Sequence, residues 1–374
     1  MATYRRITKT IFVVLNVLTA VAFLLASLAP SLNPQKWWFV SMLGLGYAFT
    51  IITLITFIFF WLIFRPKLML ISLLALAIGW KGIAVFFAFH NPDRFEYEKK
   101  PNALRVVHWN VGRFTEWKRN NNKGSRTRLK MMDLIKEQNA DVLCLQEFFH
   151  SKDTVYYDNL NYIMKELGYP YYYYSWDNDG HLQWVGNIIF SRLPIVDSGL
   201  IRYPRPSIPE SLLYADVKVQ NDTIRFYTTH LQSVQFKKKD FETVERIKKT
   251  DEEAVKQSRT ILGKLKRGIV YRKIQADVVR QVTRQSPHPY IITGDFNDVP
   301  NSYTYFTIRG DELKDAFLET GFGVGRTYTD ISPTLRIDYM LATKEIQLYQ
   351  FNRVSKVLND HHMLVADVAV RSKK

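Results

Sequence analysis

Residues 290–302 read YIITGDFNDVPNS. Tyr290 to Thr293 are aromatic or β-branched, the composition of a strand that packs well in a sheet. Gly-Asp-Phe-Asn follows at once, so Asp295 and Asn297 stand where that strand ends. An apolar strand is rigid, and polar side chains at its end keep fixed positions. The same arrangement recurs along the chain. Asn110 follows Val106–Trp109, Glu147 follows Val142–Gln146, and His230 follows Ile224–Thr229. Asp338 lies inside Arg336–Ala342, and Asp360 and His361 come just before Leu364–Val370.

Around these points the pattern predicts strands near Leu104–Trp109, Val142–Gln146, Asn187–Ser191, Leu213–Val219, Ile224–Thr229, Tyr290–Thr293, Arg336–Ala342 and Leu364–Val370. Helical periodicity falls between them, at Arg128–Gln138 and over much of Asp240–Arg284. Strands and helices mixed in this way give one α/β or α+β domain. No internal repeat marks a solenoid or propeller. Tyr171–Tyr174 and Trp176 read as packed strand or loop aromatics.

The first 92 residues differ in kind. They hold seven basic residues (Arg5, Arg6, Lys9, Lys36, Arg65, Lys67 and Lys81) and no Asp or Glu. Three apolar runs, Ile11–Ala29, Trp37–Phe64 and Leu68–Phe89, reach or approach the ~20 helical residues that a bilayer core requires. The expected organisation is a membrane anchor over 1–92 with three transmembrane helices at about 11–29, 37–64 and 68–89, a linker over 93–102, and a catalytic domain over 103–374. The first run is longer than the apolar stretch of a cleaved signal peptide, and two more runs follow it. Trp37, Trp38 and Trp61 sit at or near run ends, where indoles prefer the interface. Lys81 is the one charge inside a run. Basic residues before run one and between runs two and three place the N-terminus in the cytoplasm. Three crossings then put the catalytic domain outside it.

The whole chain has 374 residues, 47% of them apolar, and a net charge of +16. That composition excludes a disordered protein. The single cysteine, Cys144, excludes an intramolecular disulfide and a cysteine-rich metal cage. Residues after 92 carry net +9, and residues 235–284 alone hold fifteen basic and seven acidic residues. A second basic group, Arg113, Lys118, Arg119, Lys123, Arg126 and Arg128, follows the first strand. Such runs are usually solvated faces. The functional alternative is a patch for anionic lipid headgroups or nucleic acid.

The strand-end residues form a chemical set. Carboxylates and amide oxygens are hard ligands suited to Mg²⁺ or Mn²⁺. A carboxylate beside a histidine fixes its tautomer and stabilises the imidazolium. A metal, a water-activating carboxylate and oxyanion donors are what phosphoester hydrolysis needs.

The strings LRVVHWNVG, DVLCLQEFF, GNIIFSRLPI, YTTHLQS, YIITGDFNDVPNS, RIDYML and NDHHMLVADV occur in the order found in the endonuclease/exonuclease/phosphatase superfamily, which the chain resembles over about residues 103–371. That superfamily includes type-I deoxyribonucleases, abasic-site endonucleases, neutral sphingomyelinases and inositol polyphosphate 5-phosphatases. The resemblance implies a four-layer α/β sandwich, two packed mixed sheets flanked by helices, with the site at one edge. It implies that Glu147 is the principal Mg²⁺ ligand, with Asn110 and Asp360 contributing to the metal site. Asp295 resembles the residue that orients or deprotonates water, and Asn297 a donor to the phosphoryl group. His361 resembles the essential histidine, paired with Asp338. His230 matches a transition-state histidine of the sphingomyelinase-like and deoxyribonuclease-like branches. Asn187 and Arg113 are the substrate-binding candidates. Two positions depart from the pattern. Gly112 stands where abasic-site enzymes carry Asp, which points away from DNA repair, and Asn359 stands where Ser is usual.

The expected function is a membrane-anchored, Mg²⁺-dependent phosphodiesterase, with a phospholipid headgroup as the first substrate reading. An extracytoplasmic endonuclease acting on DNA or RNA is the second. A non-catalytic membrane interaction module is the third, although a decayed site would have lost one of Glu147, Asp295, Asn297 or His361. No protein partner can be inferred from the sequence.

Overall fold

The computed structural model describes residues 2–90, 95–119, 126–204, 210–236, 240, 242–243, 246 and 252–370. Lys123, Lys237, Lys238, Lys239, Lys248 and Lys249 of the two basic segments lie outside the described residues. The chain divides into two compact units. One comprises Met1–Phe87, Val234–Lys273 and Asp298–Thr307; the other comprises Ala88–Ser233, Ile274–Asn297 and Ile308–Lys374.

The first unit begins with helices α1 (Ala2–Ser27), α2 (Pro34–Leu45), α3 (Tyr47–Phe64), α4 (Met69–Ile78) and α5 (Trp80–Phe86). Two stretches, Tyr4–Ser31 and Tyr47–Phe64, are long and apolar enough to cross a membrane. Pro66–Ile78 and Trp80–Phe86, bent by 68°, make a third if the pair counts as one span. The second apolar run is therefore not one helix, because it breaks at Gly46. Asn33 starts α2 by accepting a hydrogen bond from Gln35 N (2.9 Å).

The third run bends at Gly79, where there is no room for a side chain. A Cβ there would lie 2.4 Å from Phe23 Cε1 and 2.7 Å from Ser27 Oγ, so the close approach of α1 requires glycine. The Gly79 carbonyl accepts from the Tyr47 hydroxyl (3.1 Å). Lys81 lies beyond this bend and is exposed. Asn16 donates to Ser72 (2.7 Å) between α1 and α4, and Asn301 donates to the Ala26 carbonyl (2.8 Å).

The second unit is a four-layer α/β sandwich. Its strands are β1 (Ala88–Phe89), β2 (Leu104–Asn110), β3 (Val142–Ser151), β4 (Tyr171–Tyr174), β5 (Asp177–Gly180), β6 (Gln183–Ser191), β7 (Ile195–Arg202), β8 (Ser211–Val219), β9 (Asp222–His230), β10 (Tyr290–Asp295), β11 (Leu313–Asp315), β12 (Phe322–Gly323), β13 (Asp338–Thr343), β14 (Ile346–Arg353) and β15 (Leu364–Val370). One sheet runs β14-β15-β2-β3-β6-β4, with β5 also paired to β6; the other runs β11-β13-β10-β9-β8-β7. β1 pairs with β12 in a separate two-stranded ribbon.

Alternation along β2 explains the layers. Val107 and Trp109 pack with Met131, Met132 and Ile135 of α6 (Arg126–Glu137) and with Leu160 and Ile163 of α7 (Asn159–Glu166). Leu104 and Val106 face the other way and meet Leu213, Ala215, Phe226 and Met340 of the second sheet. A strand buried on both faces must be apolar nearly throughout, and each such side chain contributes about 1.5–3 kcal/mol. On the outer face of the second sheet, the Tyr290 hydroxyl meets Thr283 of the long helix α8 (Glu252–Thr283).

All eight expected strands form, most of them longer than expected. β1, β5, β7, β11, β12 and β14 were not expected from the sequence, and the third apolar run, expected as helix to Phe89, ends its helix at Phe86 with Ala88–Phe89 as a strand. Tyr171–Tyr174 is a strand, and the Tyr174 hydroxyl donates to the Phe148 carbonyl (2.8 Å).

Candidate active site

Three strands of the second sheet bring their polar residues into line. Asp295 closes β10 and sits opposite His230 in the parallel pairing with β9. It also sits opposite Asp338 in the antiparallel pairing with β13. His230, Asp295 and Asp338 therefore share one register line, and directly opposed residues of paired strands lie about 4.5–5.5 Å apart. The first sheet supplies Asn110, at the end of β2, and Glu147. Glu147 lies in an irregularity of β3 between Leu145 and Phe148, with a left-handed φ of 47°. A bulge re-aims a side chain, here an otherwise ordinary strand position.

Asn110 ties the sheets together. Its Nδ2 donates to Glu147 Oε1 (3.2 Å) and to Asp295 Oδ2 (3.1 Å), while its Oδ1 accepts from Gly112 N (3.0 Å). His230 Nε2 is 3.9 Å from Glu147 Oε1 and 3.6 Å from Asp295 Oδ2. Asn297 donates through its backbone N to Asp295 Oδ1 (2.9 Å) and through Nδ2 to the Leu231 carbonyl (3.0 Å). Its φ of 52° marks the turn that brings it back toward Asp295.

His361 and Asp338 form a hydrogen-bonded pair, with Nδ1 3.0 Å from Oδ2. The other ring nitrogen, Nε2, is 3.6 Å from Asp295 Oδ2. Trp109 Nε1 donates to the His361 carbonyl (3.0 Å), and the Tyr328 ring lies 5.0 Å from the imidazole. Asp338 also meets His108 Nε2 (3.1 Å) and accepts a second histidine in this way. His108, buried in the middle of β2, was not singled out from the sequence. Only its apparently wasted polarity in LRVVHWN signalled it.

The charges follow from these contacts. Burial opposes the protonated form of His361, but Asp338 and Asp295 outweigh it and raise the group to about 10. Burial likewise opposes protonation of His230, and Asp295, Glu147 and Glu210 outweigh it, so its pKa is raised. Asp338 is held well below the usual carboxylate range: burial opposes ionisation, and His361 and His108 overcome it. Asp295 is pushed up by burial and by Asp338. Asp360 is pushed up by burial, with Glu147 adding to it.

Glu210 was also missed by sequence reasoning. It precedes β8, accepts from Gln275 Nε2 (2.7 Å), and is pushed up to about 7 by burial. Gln275 Oε1 accepts from Gln232 N (2.7 Å), two residues past His230. This amide thus joins a half-buried carboxylate to the strand end that carries His230. Nothing in the local sequence marks either residue.

The expected metal-site residues converge on one side. Gly112 has φ +47°, and a Cβ there would lie 3.5 Å from Asn359 Nδ2 and 3.9 Å from Asp360 Oδ1. The glycine is thus beside Asp360, and its left-handed backbone favours a residue without Cβ. Glu147, Asp295 and Asp360 supply hard oxygen donors, and His230 and His361 stand beside them with raised pKa values. This donor set fits a hydrated Mg²⁺ or Mn²⁺, which takes one or two carboxylates and keeps several waters. Asp295, Asp338 and His361 also place one ligand atom each within 4.8 Å of one another. In that group, however, Asp338 is already bonded to two imidazoles, whereas the Glu147 side chain is 37% exposed.

The two substrate-binding candidates lie differently. Asn187 is buried on β6 across from the β3 irregularity and donates to the Ser211 carbonyl (2.9 Å). Arg113 is held by both carboxylate oxygens of Asp179 (2.6 and 3.2 Å) and lies over the Trp117 ring at 4.7 Å. None of its described contacts reaches the carboxylate–histidine cluster.

Comparison with known proteins bears on the family and the fold. A sequence profile described as Endonuclease/Exonuclease/phosphatase family matches residues 107–355, and one described as a domain of unknown function, DUF8431, matches residues 9–86. No curated protein matches the chain. Among solved structures, an endonuclease/exonuclease/phosphatase family protein from Bacteroides thetaiotaomicron is similar at 16% identity and TM-score 0.50, covering 72% of this chain and 96% of that one. The human Nocturnin catalytic domain with bound sulfate anion is similar at 15% identity and TM-score 0.50, covering 73% and 97%. A protein from Beutenbergia cavernae DSM 12333 has 19% identity and TM-score 0.49, covering 72% of each chain.

Proposed function

The chain belongs to the endonuclease/exonuclease/phosphatase family, and on that premise we propose that it is a membrane-anchored phosphodiesterase that hydrolyses a phosphoester with a divalent metal and an activated water. The observation that carries this reading is Asn110, which holds the Glu147 and Asp295 carboxylates together from two different sheets.

Glu147, with Asp360 and Asn110 beside it, is the proposed holder of Mg²⁺ or Mn²⁺. When bound there, the metal polarises a phosphoryl oxygen as a Lewis acid. Asp295, fixed by Asn110 on one oxygen and by Asn297 N on the other, orients the attacking water and accepts its proton. His361, charged beside Asp338, presents Nε2–H to the phosphoryl oxygens. As the P–O bond to the leaving group breaks, His230 stabilises the negative charge that develops on the leaving oxygen. Asn297 retains one amide hydrogen for the phosphoryl group. Asn187 backs the Glu147 bulge, and Arg113 beside Trp117 is the proposed contact for a part of the substrate remote from the carboxylate–histidine cluster.

The apolar helices are proposed to cross the membrane with the N-terminus in the cytoplasm and the catalytic residues outside it, which makes a phospholipid headgroup the favoured substrate. The test uses the full chain in nanodiscs, because segments 234–273 and 298–307 belong to the same compact unit as the helices. Bis-p-nitrophenyl phosphate and a phospholipid panel are supplied with Mg²⁺. Turnover is expected; a folded protein inactive on every phosphoester ends the proposal. The net +9 of the residues after 92 supports a second reading, an extracytoplasmic endonuclease. Cleavage of duplex DNA that weakens steeply with salt, without lipid turnover, would establish that one instead.

A further inference from the structure

The part of α8 that belongs to the helical unit has one exposed basic face. Arg259, Leu262, Gly263, Lys266 and Arg267 are all exposed, at helical spacings of three, four, seven and eight from Arg259. They form a single stripe along the helix. The stripe holds three cations, a leucine that is 46% exposed, and no acid. Ile261, Gly268, Ile269 and Arg272 are buried and form the opposite face. No ion pair is made by Arg259 or Arg267 among the described residues.

The neighbour of this stripe gives its setting. Lys266 Nζ lies over the Trp38 ring, 4.9 Å from its centroid. Trp38 is on α2, the short helix between the two stretches long enough to cross a membrane, and its neighbours Trp37 and Phe39 are 44% and 48% exposed. Tryptophans beside a membrane span prefer the headgroup level. A lysine stacked on such an indole belongs at the same depth.

We propose that this face of α8 docks on anionic phospholipid headgroups of the leaflet where α1 ends and α3 begins. The occupant follows from charge and from the leucine. Unpaired cations are attracted to a negatively charged leaflet, by about 1 kcal/mol each, and a zwitterionic leaflet offers no such net attraction. An exposed Leu262 between the cations suits the boundary between headgroups and acyl chains. Nucleic acid would satisfy the cations but not the exposed apolar residues beside them.

The proposal rests on α1 and α3 spanning the membrane, and it is independent of the reaction catalysed. Position 263 suits a probe, because a Cβ there meets nothing within 4 Å, and the native Cys144 is fully buried. The full chain carrying Gly263→Cys with a nitroxide is reconstituted into nanodiscs of phosphatidylcholine, alone or with about one-third phosphatidylglycerol. In the anionic discs, collision of the nitroxide with a water-soluble nickel chelate is expected to fall at least about two-fold, and high salt is expected to restore it. Adding Arg259→Gln, Lys266→Gln and Arg267→Gln is expected to remove the difference without the fold-breaking risk of charge reversal. Equal accessibility in both discs overturns the proposal. So does protection by a duplex oligonucleotide that exceeds protection by anionic lipid. Failure of the chain to enter neutral discs removes the spanning reading and this proposal together, while hydrolysis in detergent still reports on the catalytic reading.

Discussion

Among the apolar helices, the buried polar contacts join neutral groups. Asn16 donates to Ser72, and Tyr47 donates to the Gly79 carbonyl. At the strand ends of the sandwich the buried groups are ionisable, and anions outnumber cations. Asp295 and Asp338 are each about 1% exposed, Asn110 links Asp295 to Glu147, and Glu147 in turn acts on Asp360. A neutral pair satisfies hydrogen bonding and fixes how two helices meet. A cluster of buried carboxylates costs free energy in the empty protein and is retained where a cation or a reaction makes use of it. The contrast separates residues that hold the protein together from residues that act on something else.

The largest expected effect tests the acting side. Asp295→Ala and His361→Ala should each lower kcat on bis-p-nitrophenyl phosphate by at least ~100-fold, as losses of water activation and charge stabilisation do. If either variant keeps wild-type turnover, the cluster is structural and the contrast fails. Glu147→Gln keeps the size of the side chain but loses its charge. The Mg²⁺ concentration for half-maximal activity should rise by about 10-fold or more, read from a metal titration. Gln275→Ala sharpens the comparison further. It removes the amide between Glu210 and the backbone beyond His230, and kcat should fall by about 10-fold with KM little changed. A change in stability alone would make Gln275 a packing residue.

A fourth measurement uses pH. In the folded protein the His361 pKa is raised from the ordinary histidine value of about 6.5 to about 10. A group with a raised folded-state pKa stabilises the fold fully below its unfolded value and loses that contribution as pH rises through the folded value. In metal-free protein the melting temperature should therefore decline between about pH 6.5 and pH 10, and His361→Gln should flatten that part of the profile. The smallest effect is expected among the helices. Asn16→Leu should change stability by about 0.6–2 kcal/mol, measured by unfolding in detergent, and leave turnover unchanged.

Much of the sandwich was legible because its strands are buried on both faces. Runs such as VVHW and YIIT have no polar alternation and end abruptly in polar residues. Edge strands were less legible. β14 (IQLYQFNR) and β7 (IVDSGLIR) are half-buried and carry mixed patterns that a loop also shows. Among the N-terminal helices, hydropathy marked the apolar runs but not the breaks at Gly46 and Gly79. Gly79 reads as a helix residue until the Phe23 and Ser27 side chains that crowd it are known.

The residue types of the candidate site, and their place at strand ends, were written in the chain itself, because side-chain chemistry and strand periodicity are local properties. Their convergence was not. Only the pairing of β10 with β9 and β13 set His230, Asp295 and Asp338 on one line, and only the β3 irregularity turned Glu147 toward Asn110. The contributions of His108, Glu210 and Gln275 arise from partners between 43 and 230 residues away along the chain. Separations of that size carry no local signature, so the folded chain alone decides them.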